Sequence, residues 1–192
     1  MYMMETKEVI KSLREGKKRK FDQSVDLIVN LKNFDVRREA LNTFIFVPHG
    51  MDKTFAAFFA KRTDKVTTIT EEDYVKYKDL KDIKKLARKY DMFLAAAPLM
   101  SKVATKFGRV FGPMNKMPSP LAGIVPQEND EMLAKMLNKM KRAVRVKNKE
   151  MSIKVRVGKE SMKDDALIAN VDAAMVELEK VLPKGIDNIM DV

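Results

Sequence analysis

The chain has 192 residues, 45% of them hydrophobic and 34% charged, which suits one packed domain or two small ones and argues against wholesale disorder. It has no cysteine and one histidine, His49, which excludes disulfides, thiol catalysis, thiolate metal sites and His-rich metal sites. Thirty-eight Lys and Arg stand against twenty-seven Asp and Glu, a net +11, and no apolar run reaches the roughly 18 residues of a membrane span.

In chain order, residues 3–15 read as a helix, with Met3, Val9, Ile10 and Leu13 on one face and Gly16 as its C-terminal cap. No apolar segment follows the N-terminal charges, so no secretory signal is expected. Four consecutive cations, Lys17 to Lys20, then lead into Phe21. From Ser24 the pattern alternates, with Val25, Leu27, Val29 and Leu31 on one face of a strand and Ser24 and Asp26 on the other. Cations followed by an aromatic residue at a strand start suit RNA, supplying phosphate contacts and a ring for a base or sugar. The residues alone leave open whether Phe21 does this or packs into a core.

Residues 43–47 read as a short apolar strand ending at the turn Pro48-His49-Gly50. Residues 52–62 read as a helix, with Phe55, Phe58 and Phe59 on its apolar side. Residues 66–70 are β-branched and strand-like. Thr70 before Glu71, Glu72 and Asp73 suggests a helix N-terminus, whose stripe continues through Leu80, Ile83, Leu86, Ala87 and Tyr90. Residues 92–97 are apolar on both faces. Pro98 opens another helix, with Leu99, Val103 and Phe107 on its buried side. Strands alternating with amphipathic helices imply a parallel sheet covered on both faces. No dinucleotide fingerprint or phosphate-loop motif accompanies it.

Gly108 to Pro120 holds two glycines and three prolines and reads as a non-helical loop, carrying Arg109 and Lys116. It is expected to be the junction at which an inserted domain returns to its parent, close to a phosphate backbone. Residues 130–143 form a basic amphipathic helix with Met132, Leu133, Met136, Leu137 and Met140 inward. Val144 and Val146 alternate with Arg145 and Lys147. After a turn at 148–150, Ile153, Val155 and Val157 alternate with Lys154 and Arg156. This predicts a hairpin with four cations on one ribbon. Ser161, with Asp164 and Asp165, reads as the cap of a last helix whose stripe includes Ile168, Val171, Met175 and Leu178.

Charge is uneven along the chain. Residues 102–163 carry fifteen Lys and Arg against five Asp and Glu, whereas residues 164–192 carry two against seven. Such concentration points to a polyanionic partner, because cations release condensed counterions from phosphates. No basic helix with an aromatic apolar face suggests a membrane. An enzyme would need paired acid–base groups, and His49 and the scattered carboxylates offer none.

Four places resemble the L-one family of large-subunit ribosomal proteins in its archaeal form. They are Lys20 to Asp26, Val47-Pro48-His49-Gly50, Phe111 to Pro120, and Gly158 to Met162. The resemblance implies an α+β split domain formed by both chain ends, residues 1–42 and 121–192. An α/β domain, Rossmann-like and three-layered, is inserted at 43–120. It implies a non-enzymatic, cytoplasmic ribosomal protein without cofactor, monomeric off the ribosome. Its implied partners are ribosomal RNA at the mobile stalk near the tRNA exit site, exit-site tRNA, and its own messenger RNA, which some members repress. Family positions that contact RNA map to Lys20, Phe21, Ser24 and Asp26. Charge geometry adds Lys116, Arg145, Lys147, Lys154 and Arg156. Met114-Asn115 stand where the family has Arg-Gly, and asparagine is expected to supply the left-handed backbone there. Asp191-Val192 fall where the family's last strand is expected to begin, leaving a sheet edge uncovered.

Overall fold

The computed structural model describes residues 2–16, 19–121, 123–126, 129–148 and 150–192. Lys17, Lys18 and Lys149, hence half of the cation run and the centre of the expected 148–150 turn, lie outside the described residues, as does the side chain of Met3. The chain separates into two compact units, Met1–Met51 with Arg142–Val192, and Asp52–Lys141.

The first unit contains α1 (Tyr2–Glu15), β1 (Ser24–Leu31), β2 (Asn42–Phe46), β7 (Ala143–Lys147), β8 (Ser152–Lys159), α5 (Asp164–Val181) and β9 (Ile189–Asp191). Alternation makes β1 two-faced. Leu27, Val29 and Leu31 are buried, while Ser24, Asp26, Ile28 and Asn30 are exposed. β1 is the centre of an antiparallel sheet ordered β8-β1-β9, and β2 pairs antiparallel with β7 in a separate ribbon. Helix α5 packs on both β8 and β2. Val29, Ile45, Val146, Ile153, Val157 and Leu178 lose essentially all solvent contact in the shared core.

Asn188 closes the end of this sheet. Its fully buried amide accepts from Lys184 N–H and donates to the carbonyls of Lys32 and Asn33. It thereby delivers β9, whose Ile189 and Asp191 register with Leu31 and Asn30. This short strand, beginning at Ile189, partly covers the edge expected to be bare.

The second unit contains β3 (Phe55–Phe58), β4 (Thr67–Ile69), α2 (Leu80–Lys89), β5 (Met92–Ala96), α3 (Met100–Phe111), β6 (Ile124–Val125) and α4 (Asp130–Arg142, whose last residue falls in the first unit). Its sheet is parallel, ordered β4-β3-β5-β6. The core is a web of rings. Phe58 lies 5.0 Å from Phe107 and 5.8 Å from Phe93, and Phe93 lies 4.5 Å from Phe111. Fully buried aromatics in this offset geometry add stabilisation beyond their area.

Several expectations are corrected here. Residues 52–62 are not a helix, because Phe55–Phe58 is an interior strand. A strand buried on both faces loses the two-residue alternation, and Phe55, Phe58 and Phe59 then mimic helical spacing. The strand at 43–47 does not join the parallel sheet; Thr43 pairs with Val146 and Ile45 with Val144. That pairing carries it, with residues 121–192 only in part, into the first unit. The units divide at 51/52 and 141/142, not near 43 and 120, because α4 buries Leu133 and Met140 in the aromatic core of the second. The expected 144–157 hairpin does not form among the described residues: β7 pairs with β2 and β8 with β1.

Helix α3 runs through Gly108 to Phe111, so the first four residues of the supposed loop are helical. Burial of Phe107, Val110 and Phe111 outweighs the roughly 1 kcal/mol cost of a helical glycine. The remaining loop lies inside the second unit and is not a junction. Asn115 has φ 56°, the left-handed conformation expected of it. The helix signalled by Thr70 is a short 3-10 turn, Glu71–Lys76, separated from α2 and closed by a capping box between Thr70 and Asp73. Met132, expected inward on α4, is exposed. Ser161 does not cap α5, whose N-cap is Lys163.

Candidate nucleic-acid interface

The outward face of β1 and β8 is built by register. Asp26 stands opposite Arg156, Ile28 opposite Lys154, and Ser24 opposite Lys159. Each of these cations, Lys154 and Arg156 exposed and Lys159 half-buried, has a loose carboxylate neighbour. Arg156 lies 3.7 Å from Asp26, Lys154 lies 3.5 Å from Glu150, and Lys159 lies 3.7 Å from Asp22. Exposed pairs of this kind contribute little to stability, so they can open toward a phosphate at small cost.

Phe21 sits beside this face with 62% of its surface exposed, which rules out the core reading. Its neighbours are held firmly. Asp22 accepts hydrogen bonds from Ser161 Oγ at 2.9 Å and from Ser161 N–H at 3.0 Å. The hydroxyl bond foremost, with the N–H bond and Lys159 nearby, holds the Asp22 carboxyl below its ordinary pKa. Glu160 N–H donates to the Gln23 carbonyl at 2.7 Å, and Gln23 Nε2 donates to Glu160 Oε2 at 3.0 Å. Arg14 of α1 completes the clamp, donating to the carbonyls of Glu160 and Met162 and pairing with Asp164 at 2.7 Å. An exposed ring on an anchored segment, beside a strand face with Lys154 and Arg156, can stack on a base while the cations hold the backbone.

A family model, that of the ribosomal protein L1p/L10e family, matches residues 13–192. The chain belongs to this family. It is similar to the large ribosomal subunit protein uL1 of Nanoarchaeum equitans, at 36% identity over 95% of this chain and 91% of the relative. It is 32% identical to the uL1 proteins of Methanococcoides burtonii, over 97% of this chain and 92% of the relative, and of Pyrococcus horikoshii, over 96% and 89%. These archaeal relatives make it an L1-family chain of archaeal type. The family consists of ribosomal proteins, not enzymes, and the chain is not an enzyme. No helix among the described residues is long and apolar enough to cross a membrane.

Within this L1-family chain, the expected RNA residues divide into three groups. Lys20, Phe21, Ser24, Asp26, Lys154 and Arg156 are exposed on or next to the β1–β8 face. Arg145 and Lys147 lie on β7, in the other ribbon. Arg145 donates to Asn42 Oδ1 at 2.9 Å and its guanidinium stands 5.8 Å from the centre of the Phe44 ring. Burial pushes its pKa down from its ordinary value. Lys116 lies in the second unit and donates to the carbonyls of Tyr90 and Asp91 at 2.9 and 2.7 Å, at the link between α2 and β5. Residue-by-residue reading missed Ile28, Lys159 and the Arg14–Asp22–Ser161 clamp. Ile28 was legible, since alternation puts it outward with Asp26. The clamp was not, because each of its contacts joins residues more than a hundred positions apart in sequence.

Proposed function

We propose that this chain is a structural constituent of the large ribosomal subunit in the cytoplasm, and that it binds ribosomal RNA at the mobile stalk near the tRNA exit site. The observation that carries this reading is Phe21, exposed on an anchored segment that leads into the β1 strand whose outward face meets Arg156 and Lys154, in a chain of the L1 family. The names of the relatives support the ribosomal setting. In this reading the unit made from both chain ends is the split α+β RNA-binding domain. The parallel-sheet unit is the inserted Rossmann-like domain, with boundaries at 51/52 and 141/142.

Recognition combines sequence-independent phosphate contacts from Lys20, Lys154 and Arg156 with a few specific contacts at Phe21, Ser24 and Asp26. The test is a titration of the chain and its Phe21→Ala variant against a stalk RNA fragment and a shuffled control. Phe21→Ala is expected to weaken stalk binding by about 1–3 kcal/mol, the worth of one stacked base, and shuffled binding far less. Equal losses on both RNAs would remove Phe21 from specific recognition. A messenger RNA fragment in the same titration tests binding of the chain's own message.

A further inference from the structure

The unit with the parallel sheet carries more net charge than the unit with the Phe21 face. Asp52–Lys141 holds eighteen Lys and Arg against eleven Asp and Glu, a net +7, whereas the rest of the chain holds twenty against sixteen, a net +4. Much of that excess is concentrated on α2 and the residues just before it. Lys78, Lys81, Lys84, Lys85, Arg88 and Lys89 are all exposed, and only Asp79 and Asp82 interrupt them. Lys85 pairs loosely with Asp82 at 3.6 Å, and Lys89 lies 5.4 Å from the Tyr90 ring centre. Lys81, Lys84 and Arg88 have no ion pair among the described residues.

These cations are ordered. Lys81, Lys84, Lys85 and Arg88 follow helical spacing and form one outward stripe, about 10 Å long at 1.5 Å per residue. The opposite face of α2 is locked into the core by Ile83, Leu86 and Ala87. The end of α2 is tied down through Lys116 to the carbonyls of Tyr90 and Asp91. Beside the stripe runs a groove of about 660 Å³ between α2 and the sheet-edge strand β4, where Lys85 and Lys89 meet Arg62 and Lys76, both paired with Asp73, and where Asp64 and Asp82 also line the wall.

We infer that the outward stripe of α2 and the adjoining groove form a second RNA-binding surface, one that grips the sugar–phosphate backbone without reading sequence. The chemistry separates this partner from others. A membrane-surface helix must turn an apolar face to lipid, and the apolar face of α2 is buried. A protein interface needs apolar or aromatic anchors at its centre, and the stripe offers only charge. The tyrosines beside it do not stack on bases, since Tyr90 is buried and Tyr77 packs on Phe107 at 5.8 Å. What remains is a rigid row of cations matched to a row of phosphates. Choosing RNA over another polyanion rests on the function proposed above; the surface itself does not.

The test is salt-dependent binding of the full chain to a labelled 20-nucleotide oligouridylate, which carries no stalk sequence. One variant changes Lys81, Lys84, Lys85 and Arg88 to Gln. A charge-matched control changes Lys102, Arg109, Lys135 and Lys139, all exposed in the same unit, to Gln. All eight sites face solvent, and circular dichroism melts confirm folding. The α2 variant is expected to lose about tenfold or more in affinity at low salt and to flatten the log–log salt slope by about 2–3, at ~0.7 per phosphate contact on a single strand. The control is expected to change the slope by less than half as much. An unchanged slope in the α2 variant, or an equal change in the control, would overturn the inference. Failure of the Phe21 test with a flattened α2 slope would instead count against the stalk reading alone.

Discussion

Asn170 offers the most direct test of how the first unit is held together. Its side chain is fully buried on α5 and makes three hydrogen bonds to backbone. Oδ1 accepts from His49 N–H at 2.9 Å, while Nδ2 donates to the His49 carbonyl at 3.1 Å and the Val157 carbonyl at 2.8 Å. One amide thus joins α5, β8 and the Pro48-His49-Gly50 turn through which the chain leaves the unit. Asn170→Ala removes all three bonds and strands one N–H and two carbonyls. At a net ~1 kcal/mol per bond, with further cost for polar groups left buried without partners, the expected loss is about 3–4 kcal/mol. Asn170→Asp keeps the acceptor for His49 N–H but turns a second oxygen on two carbonyls. It is expected to cost at least as much at neutral pH and to recover in part when protonation restores one donor. Urea unfolding followed by far-ultraviolet circular dichroism measures the loss. Tyrosine fluorescence reports chiefly on the second unit, because Tyr74, Tyr77 and Tyr90, three of the four tyrosines, lie there, Tyr2 is in the first, and the chain has no tryptophan. Amide exchange at His49 is the local readout. A loss below about 1 kcal/mol, or unchanged protection of the His49 amide, would refute the reasoning.

Two further outcomes follow from the geometry. Asp73 accepts from Lys76 Nζ at 2.6 Å, and from Thr70 N–H and Oγ1; the Lys76 bond foremost lowers its pKa to about 2 from 3.8. A lowered folded-state value means that the stabilisation is complete above pH ~4 and is lost as pH falls toward 2. It amounts to at most about 2 kcal/mol, since Lys76 is largely exposed and screened. Asp73→Asn should therefore flatten the acid limb of the second unit's unfolding curve, measured by tyrosine fluorescence, and a limb of unchanged steepness would sink this account. Arg145→Gln should cost about 1 kcal/mol through lost contact with Phe44 and Asn42, yet leave stalk RNA affinity within about twofold. A loss comparable to that of Arg156→Gln in the same titration would return Arg145 to the RNA surface.

Much of this molecule was legible in local pattern. Alternation in residues 24–31 and 153–157 specifies two half-buried strands, and which side chains face out, because the side-chain period of a strand is two. Helical spacing specifies α2, α4 and α5 for the corresponding reason. The left-handed turn at Asn115 follows from a short polar side chain between glycine- and proline-rich neighbours.

Pairing was decided elsewhere. Val144 and Val146 alternate like half of a hairpin, but nothing local distinguishes a neighbour ten residues away from β2, a hundred residues earlier. Phe55–Phe58 lost its strand signature because the parallel sheet buries it on both sides, a property of its surroundings and not of its residues. The same holds for function. Sequence supplied Phe21 through the family resemblance and Lys154, Arg156, Arg145 and Lys116 through charge pattern, with nothing to separate these four. Tertiary structure spread them over three surfaces and committed Lys116 to backbone carbonyls and Arg145 to Asn42. Charge and periodicity are read along one chain, whereas a binding face is assembled from segments that only long-range packing brings together.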